Sequence, residues 1–381
     1  MVADAASPNP EGKPLVRCIA FYLPQFHPIR ENDDWWGTGF TEWTNVTRAT
    51  PLFAGHYQPH LPADMGFYDL RLSEVREQQA ALARQYGIYG FCYYHYWFAG
   101  RRLLEQPVEA VRASGRPDYP YCFCWANENW TRRWDGAHND ILISQDPNRT
   151  DDKRFITDLL PHLRDPRYIR VNGKALLIVY RVGLLPNAKR SAEIWRETAQ
   201  REGVGDLYIC AAKTYDTSDP IYYGFDAIVE FPPHGTRIAQ INERYEIQNP
   251  DFTGGIYDYR QFVIDHLAQP EPGYVLHRTA MPGWDNTARR RELANLFENA
   301  TPEYYEVWLR ELVARTAERR SSEERLVFIN AWNEWAEGAH LEPDQRYAHQ
   351  YLLATRRAVF DEPVGGRPFV RFSGLREQTS T

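Results

Sequence analysis

Short runs rich in β-branched and aromatic residues alternate with longer amphipathic stretches along the whole chain, and this alternation most narrows the folds open to it. Two adjacent parallel strands cannot be joined by a tight turn; each connection needs a crossover of a dozen or more residues, most often a helix. Eight strands are predicted, over residues 16–22, 87–94, 119–125, 174–180, 206–212, 227–231, 275–282 and 325–332. Helices are predicted near 71–86, 103–114, 150–163, 188–202, 257–268, 301–319 and 345–359. The segment opening Thr301-Pro302-Glu303 has a capping hydroxyl, a proline at the first helical position and an early acid. This order describes an α/β protein, a (β/α)8 TIM barrel with enlarged βα loops, with a doubly wound open sheet as the alternative. The barrel is expected to occupy residues 16–362, between a flexible N-terminal segment, 1–15, and a C-terminal tail, 363–381.

Composition removes several classes of function. The formal charge of -7 and the scattering of Lys and Arg among acids leave no basic footprint for nucleic acid. No stretch is long and apolar enough to span a membrane, and the N-terminus lacks the apolar run of a secretory leader, so a cytoplasmic location is expected. The five cysteines, Cys18, Cys92, Cys122, Cys124 and Cys210, are odd in number and lie in or beside strand-like runs, as reduced core residues do. With no HExxH string and no evident cluster of metal ligands, no metal or cofactor is expected.

Barrels of this class assemble their sites where the strands end and the following loops begin. After the last strand stands FINAWNEWAEGAHLEPD, with Glu334 and Glu337 three residues apart. Breaking a glycosidic bond takes two carboxyl groups, one to protonate the leaving oxygen and one to assist at or beside the anomeric carbon. A helical turn at this point puts residues i and i+3 on one face, aiming both glutamates into one cavity. Indole rings at Trp332 and Trp335 disfavour a charged carboxylate, which is how an acid stays protonated near neutral pH.

Other strand ends supply sugar-binding chemistry, hydrogen-bonding groups beside aromatic faces. The candidates are Tyr22, Glu42, Trp43, His95, Trp97, Asn127, Glu128, Trp130, Tyr180, Glu230, His234, Trp284, Asp285 and Asn333. Glu128 is the main rival catalytic carboxylate. The loop after the first strand is unusually long, shows no clear helix, and carries His27, His56 and His60, each read as a structural hydrogen-bonder. Arg132, Arg133 and the run Arg289–Arg291 offer cations that a diphosphate-binding transferase would need. Ten of the 12 tryptophans fall at strand ends or in the loops that follow, a lining suited to an oligo- or polysaccharide.

The strings YLPQFHPIRENDDWWGTGFTEWTNV, YYHYWFAGRRLLE, FCWANENWTRRWDG, GFDAIVEFPPH, MPGWDNTARR and FINAWNEWAEGAHLEPD resemble, in order, the WbsX-type proteins of bacterial polysaccharide gene clusters. That domain is similar to glycoside hydrolase family 99, whose members are retaining endo-α-mannosidases and mannanases. The resemblance implies a (β/α)8 barrel. It also implies that Glu334 acts as a base toward the sugar 2-hydroxyl and Glu337 as acid/base, through a 1,2-anhydro sugar that water opens with retention. WbsX-type proteins are also described as glycosyltransferases of O-antigen or capsule assembly, so transfer is the alternative to hydrolysis, and a glycan-binding barrel without turnover is the third reading. No D-x-D, G-x-G-x-x-G or P-loop string supports a nucleotide-sugar donor site.

Overall fold

The computed structural model describes residues 12–131, 141–143, 151–215, 217–235 and 238–363. Eight parallel strands close into a barrel: β1 (Arg17–Tyr22), β2 (Ile88–Phe98), β3 (Tyr121–Trp125), β4 (Lys174–Val179), β5 (Leu207–Lys213), β6 (Ala227–Glu230), β7 (Leu276–Ala280) and β8 (Leu326–Ile329). Each pairs in parallel with its chain neighbours, and the ring shuts at β1, where Ala20 stands beside both Phe91 of β2 and Ile329 of β8. All eight predicted strands form within a few residues of their expected limits. β2 is the longest because its end turns back through a short antiparallel pairing with Arg101–Leu103.

Helices cover the outside: α1 (Ser73–Gln85), α2 (Gln106–Ser114), α3 (Asp152–Leu163), α4 (Ala188–Arg201), α5 (Tyr259–Ala268), α6 (Pro302–Arg319) and α7 (Gln350–Phe360). The α6 start is capped by the Thr301 hydroxyl, with Pro302 at the first position, as its sequence demands. Between β5 and β6 the described residues form only a 3-10 turn, Pro220–Tyr223. The long first loop corrects the expectation of no helix: it contains Arg30–Trp36 and Glu42–Val46, too short to register as a period in sequence. No helix among the described residues is long and apolar enough to cross a membrane.

Alternation along each strand sorts side chains into two layers. Inside the barrel, Phe21 packs on Tyr94, Phe231 and Phe328 with ring centroids 5.9, 5.0 and 5.7 Å apart. Between the barrel and its helices, Trp125 stacks on Phe155 of α3 at 4.2 Å and meets Trp195 of α4. Truncating a buried indole in such a layer costs about 3–5 kcal/mol, so Trp125→Ala would loosen β3 from both helices. All five cysteines are buried and unbridged, as expected.

Candidate active site

The chain leaves β8 and forms a narrow hairpin in which Asn333–Glu334 pairs with Ala339–His340 around a 3-10 turn, Trp335–Glu337. In a 3-10 turn residues i and i+3 eclipse, which places Glu334 and Glu337 on one face. Gly338 ends the turn at φ +59°, and a Cβ there would lie 2.9 Å from the Asp285 backbone nitrogen, so glycine is required twice over. Two indoles anchor the hairpin: Trp332 and Trp335 both donate through Nε1 to Glu342, at 2.9 and 2.7 Å. Gln79 and the Tyr68 hydroxyl complete four donors to this carboxylate. Burial pushes the Glu342 carboxyl up to about 7 even so, because none of the four donors carries a charge.

At the centre stands a guanidinium. Arg289, from a short helix after β7, contacts Glu42 through Nε at 2.7 Å, Glu334 through Nη2 at 2.8 Å and Glu337 through Nη1 at 2.6 Å. The side chains of Arg289, Glu42 and Glu334 are 3 %, 0 % and 5 % exposed, whereas Glu337 keeps 22 %, so the acid with solvent access is Glu337. Carboxylates on the two terminal nitrogens of one planar fork are held within roughly 8 Å of each other. Three acids share the Arg289 guanidinium, with Arg290 adding a smaller pull on Glu337, and a proton relieves the crowding of negative charge. Burial pushes Glu334 up to about 8, with Glu337 and Glu42 adding to the rise against Arg289, and burial raises Glu337 as well. Burial disfavours the Arg289 charge, yet Glu42, Glu337 and Glu334 together hold it above the usual guanidinium range.

Phenols frame this cluster. Tyr94 and Tyr96 project from β2 on the barrel side, and burial together with the Glu334 charge drives both hydroxyls up. Tyr180, just past β4, lies in the field of Glu128 and Glu337, with its hydroxyl 3.4 Å from His234. Glu128 forms an ion pair with Arg181 at the rim, away from Arg289.

Several predicted binding residues face elsewhere. Tyr22, His95, Trp97 and Glu230 point outward into the helix layer. Tyr22 donates to Gln79 of α1, Trp97 donates to Asp158 of α3, and His95 packs against Phe123 and Phe155. Burial holds His95 near 3, hence neutral. Glu230 is enclosed by Arg278 at 2.7 Å and His266 at 3.3 Å; burial raises its carboxyl, but these neighbours together with Lys213 outweigh burial and hold it near 2. The strand YYHYWF presents alternate residues to opposite faces, so the site takes Tyr94 and Tyr96 and the helices take His95 and Trp97. Asn127 and Asn333 are clamps: Asn127 exchanges two hydrogen bonds with the Arg181 backbone, and Asn333 does the same with Leu23. Trp43 and Trp130 are buried anchors, the first against Trp335, the second under Tyr96. Asp285 and Trp284 line a separate cavity behind the hairpin. Arg132, Arg133 and Trp134 lie outside the described residues. Arg289, in the sequence a cation available to the transferase alternative, is in the fold the guanidinium that gathers the acids.

The fold and this cluster define a (β/α)8 barrel with a buried acid-rich site at the C-terminal ends of its strands. The chain belongs to the family described as Glycosyltransferase WbsX, whose model matches residues 18–355. Two proteins of Xanthomonas campestris pathovar campestris, both named uncharacterized protein WxcX, are similar to it. That of strain B100 is 46% identical over 362 residues, covering 95% of this chain and 52% of its own length. That of a second strain is 47% identical over 345 residues, covering 91% and 50%. The chain thus spans about half the length of these relatives. Among solved structures, a GH99 endo-alpha-mannosidase from Bacteroides thetaiotaomicron in complex with BIS-TRIS-Propane superposes with a TM-score of 0.56 at 15% identity, covering 91% of this chain and 97% of its own. A glycoside hydrolase-like protein gives 0.57 at 15% identity, with 93% and 97% covered. At this identity the likeness establishes the fold.

Proposed function

We propose that this chain is a retaining glycoside hydrolase, endo-acting on an α-linked bacterial polysaccharide of mannan, O-antigen or capsule type. The observation that carries the reading is the joint hold of Arg289 on Glu334 and Glu337 at the strand ends. Glu334, enclosed and fixed by the guanidinium, takes the 2-hydroxyl proton as that oxygen closes on C1. Glu337, the acid with solvent access, gives its proton to the departing glycosidic oxygen and then recovers one from the water that attacks C1, while Glu334 returns its proton to O2 as the C1–O2 bond of the 1,2-anhydro ring breaks. Arg289 stabilises the carboxylate form of Glu334 at the moment the proton on the pair resides on Glu337. Phenols of Tyr94, Tyr96 and Tyr180 offer hydrogen bonds to the sugar, with Glu128 and His234 on the rim.

The family description favours a second reading, sugar transfer. Against it, Arg289 is committed to three carboxylates, and the surplus of negative charge around it repels a diphosphate.

Incubating wild type and Glu334→Gln protein with α-mannans and with bacterial O-antigen or capsular polysaccharides in labelled water, followed by mass spectrometry, tests the proposal. Fragments carrying one solvent oxygen, made by the wild type alone, are expected. Product that forms only after a nucleotide-sugar is added would replace hydrolysis by transfer. Substrates with an activated leaving group separate the two roles: Glu337→Gln keeps activity on them and loses it on natural glycan, whereas Glu334→Gln loses both.

A further inference from the structure

Behind the catalytic hairpin lies a second cavity of about 200 Å³, walled on one side by Gly338 and His340 and on the other by the end of the long first loop. Three side chains meet there: His60, His340 and Asp344, whose ligand-capable atoms all fall within 4.8 Å of one another. We infer that they bind a divalent first-row transition-metal ion, in a two-histidine, one-carboxylate set that braces the hairpin carrying Glu334 and Glu337.

The nitrogens are turned toward each other, His60 Nδ1 lying 2.9 Å from His340 Nε2. Two ligands at the usual metal–nitrogen distance of about 2.1 Å and near right angles stand about 3 Å apart, so little movement is needed to admit an ion between them. His340 Nδ1 faces the Glu342 carbonyl at 3.0 Å, which assigns the proton to Nδ1 and leaves the Nε2 lone pair directed at the site. Asp344 Oδ1 accepts from the backbone nitrogens of Arg346 and Tyr347, and Oδ2 lies 4.0 Å from His340 Nε2. Main-chain bonds hold the two loops in place: Ala63 donates to Pro343 and Gln345 donates to Leu61. The surrounding charge is mixed, with the Asp285 carboxylate, held near 2, set against the Arg346 guanidinium.

The link to the catalytic turn is direct. His340 stacks on Trp335 with ring centroids 3.9 Å apart, and Trp335 sits between Glu334 and Glu337 in sequence. Asp285 donates its backbone N–H to the Glu337 carbonyl at 2.7 Å, closing the wall between cavity and site. His340 and Asp344 stand one helical turn apart in sequence but His60 lies 280 positions from His340, which is why no metal motif is visible in the sequence and only the fold brings the three together.

The test uses the untagged 381-residue chain dialysed against Zn2+ and then against metal-free buffer, with the metal counted by mass spectrometry. Wild type is expected to retain one equivalent and to gain a few degrees in melting temperature, because the ion binds the folded state alone. His60→Gln and Asp344→Asn are expected to lose both effects while matching the circular dichroism of the metal-free wild type. A Co2+ derivative should show the weak visible bands of a five- or six-coordinate ion without thiolate charge-transfer absorption. Retention below a tenth of an equivalent, retention unchanged in both variants, or a thiolate spectrum would each overturn the proposal. All three readouts are independent of whether the barrel hydrolyses or transfers sugar.

Discussion

Replacing Arg289 by Met should leave the three acids without their shared cation and destabilise the fold, in a way that depends steeply on pH. Arg289 holds three carboxylates at 2.6 to 2.8 Å, two of them almost fully buried. Removing one partner of a buried pair costs about 3–5 kcal/mol because the charge left behind has neither water nor a counterion. In the variant a buried carboxyl survives only by taking a proton. For a group with an ordinary unfolded-state pKa that costs about 5 kcal/mol at pH 8 and about 1 kcal/mol at pH 5. The folded variant therefore binds more protons than its unfolded chain throughout this window, and its stability falls as pH rises, by about 1.4 kcal/mol per pH unit for each carboxyl. Wild type carries a milder form of the same slope. Glu334 is raised to about 8, so it destabilises progressively from the ordinary carboxylate range up to about 8 and no further. Urea denaturation followed by circular dichroism from pH 5 to 8 measures both slopes. The reasoning fails if Arg289→Met loses less than about 1 kcal/mol at pH 8, or if its loss is flat with pH.

Three further outcomes are expected. Glu334→Gln should flatten the wild-type decline in stability between pH 5 and 8, seen in the same denaturation series, while abolishing glycan cleavage. In Glu342→Gln two of the four donors, the pair on one oxygen, meet an amide N–H2 instead, so a loss of about 2–6 kcal/mol is expected, with the melting curve as readout and a normal curve as refutation. His95→Phe, at a neutral ring facing Phe123 and Phe155, should change stability by no more than about 1 kcal/mol and leave kcat within about twofold; a large loss of kcat would return His95 to the site.

Strand and helix order was legible because periodicity and caps are local: Thr301 and Pro302 announce α6, and the apolar run before Asn333 announces β8. The pair Glu334 and Glu337 was legible for the same reason, three residues in one turn. What misled was the inference from "near a strand end" to "in the site". Tyr22, His95, Trp97 and Glu230 occupy strand ends but the wrong face, and only the alternation within YYHYWF hinted at it. Asn127 and Asn333 carry sugar-binding chemistry yet spend it on backbone clamps, which no composition rule distinguishes.

The sequence alone determined the eight strands, the crossover helices, and the two carboxyls set at one turn, since each depends on neighbours a few residues away. Tertiary structure alone decided what those carboxyls meet. Glu42 and Arg289 are separated by 247 positions, and His60 and His340 by 280, and each pair is brought together only because barrel closure sets β1 beside β8. Contacts of that range are selected by the packing of the whole ring, and no local pattern along the chain encodes them.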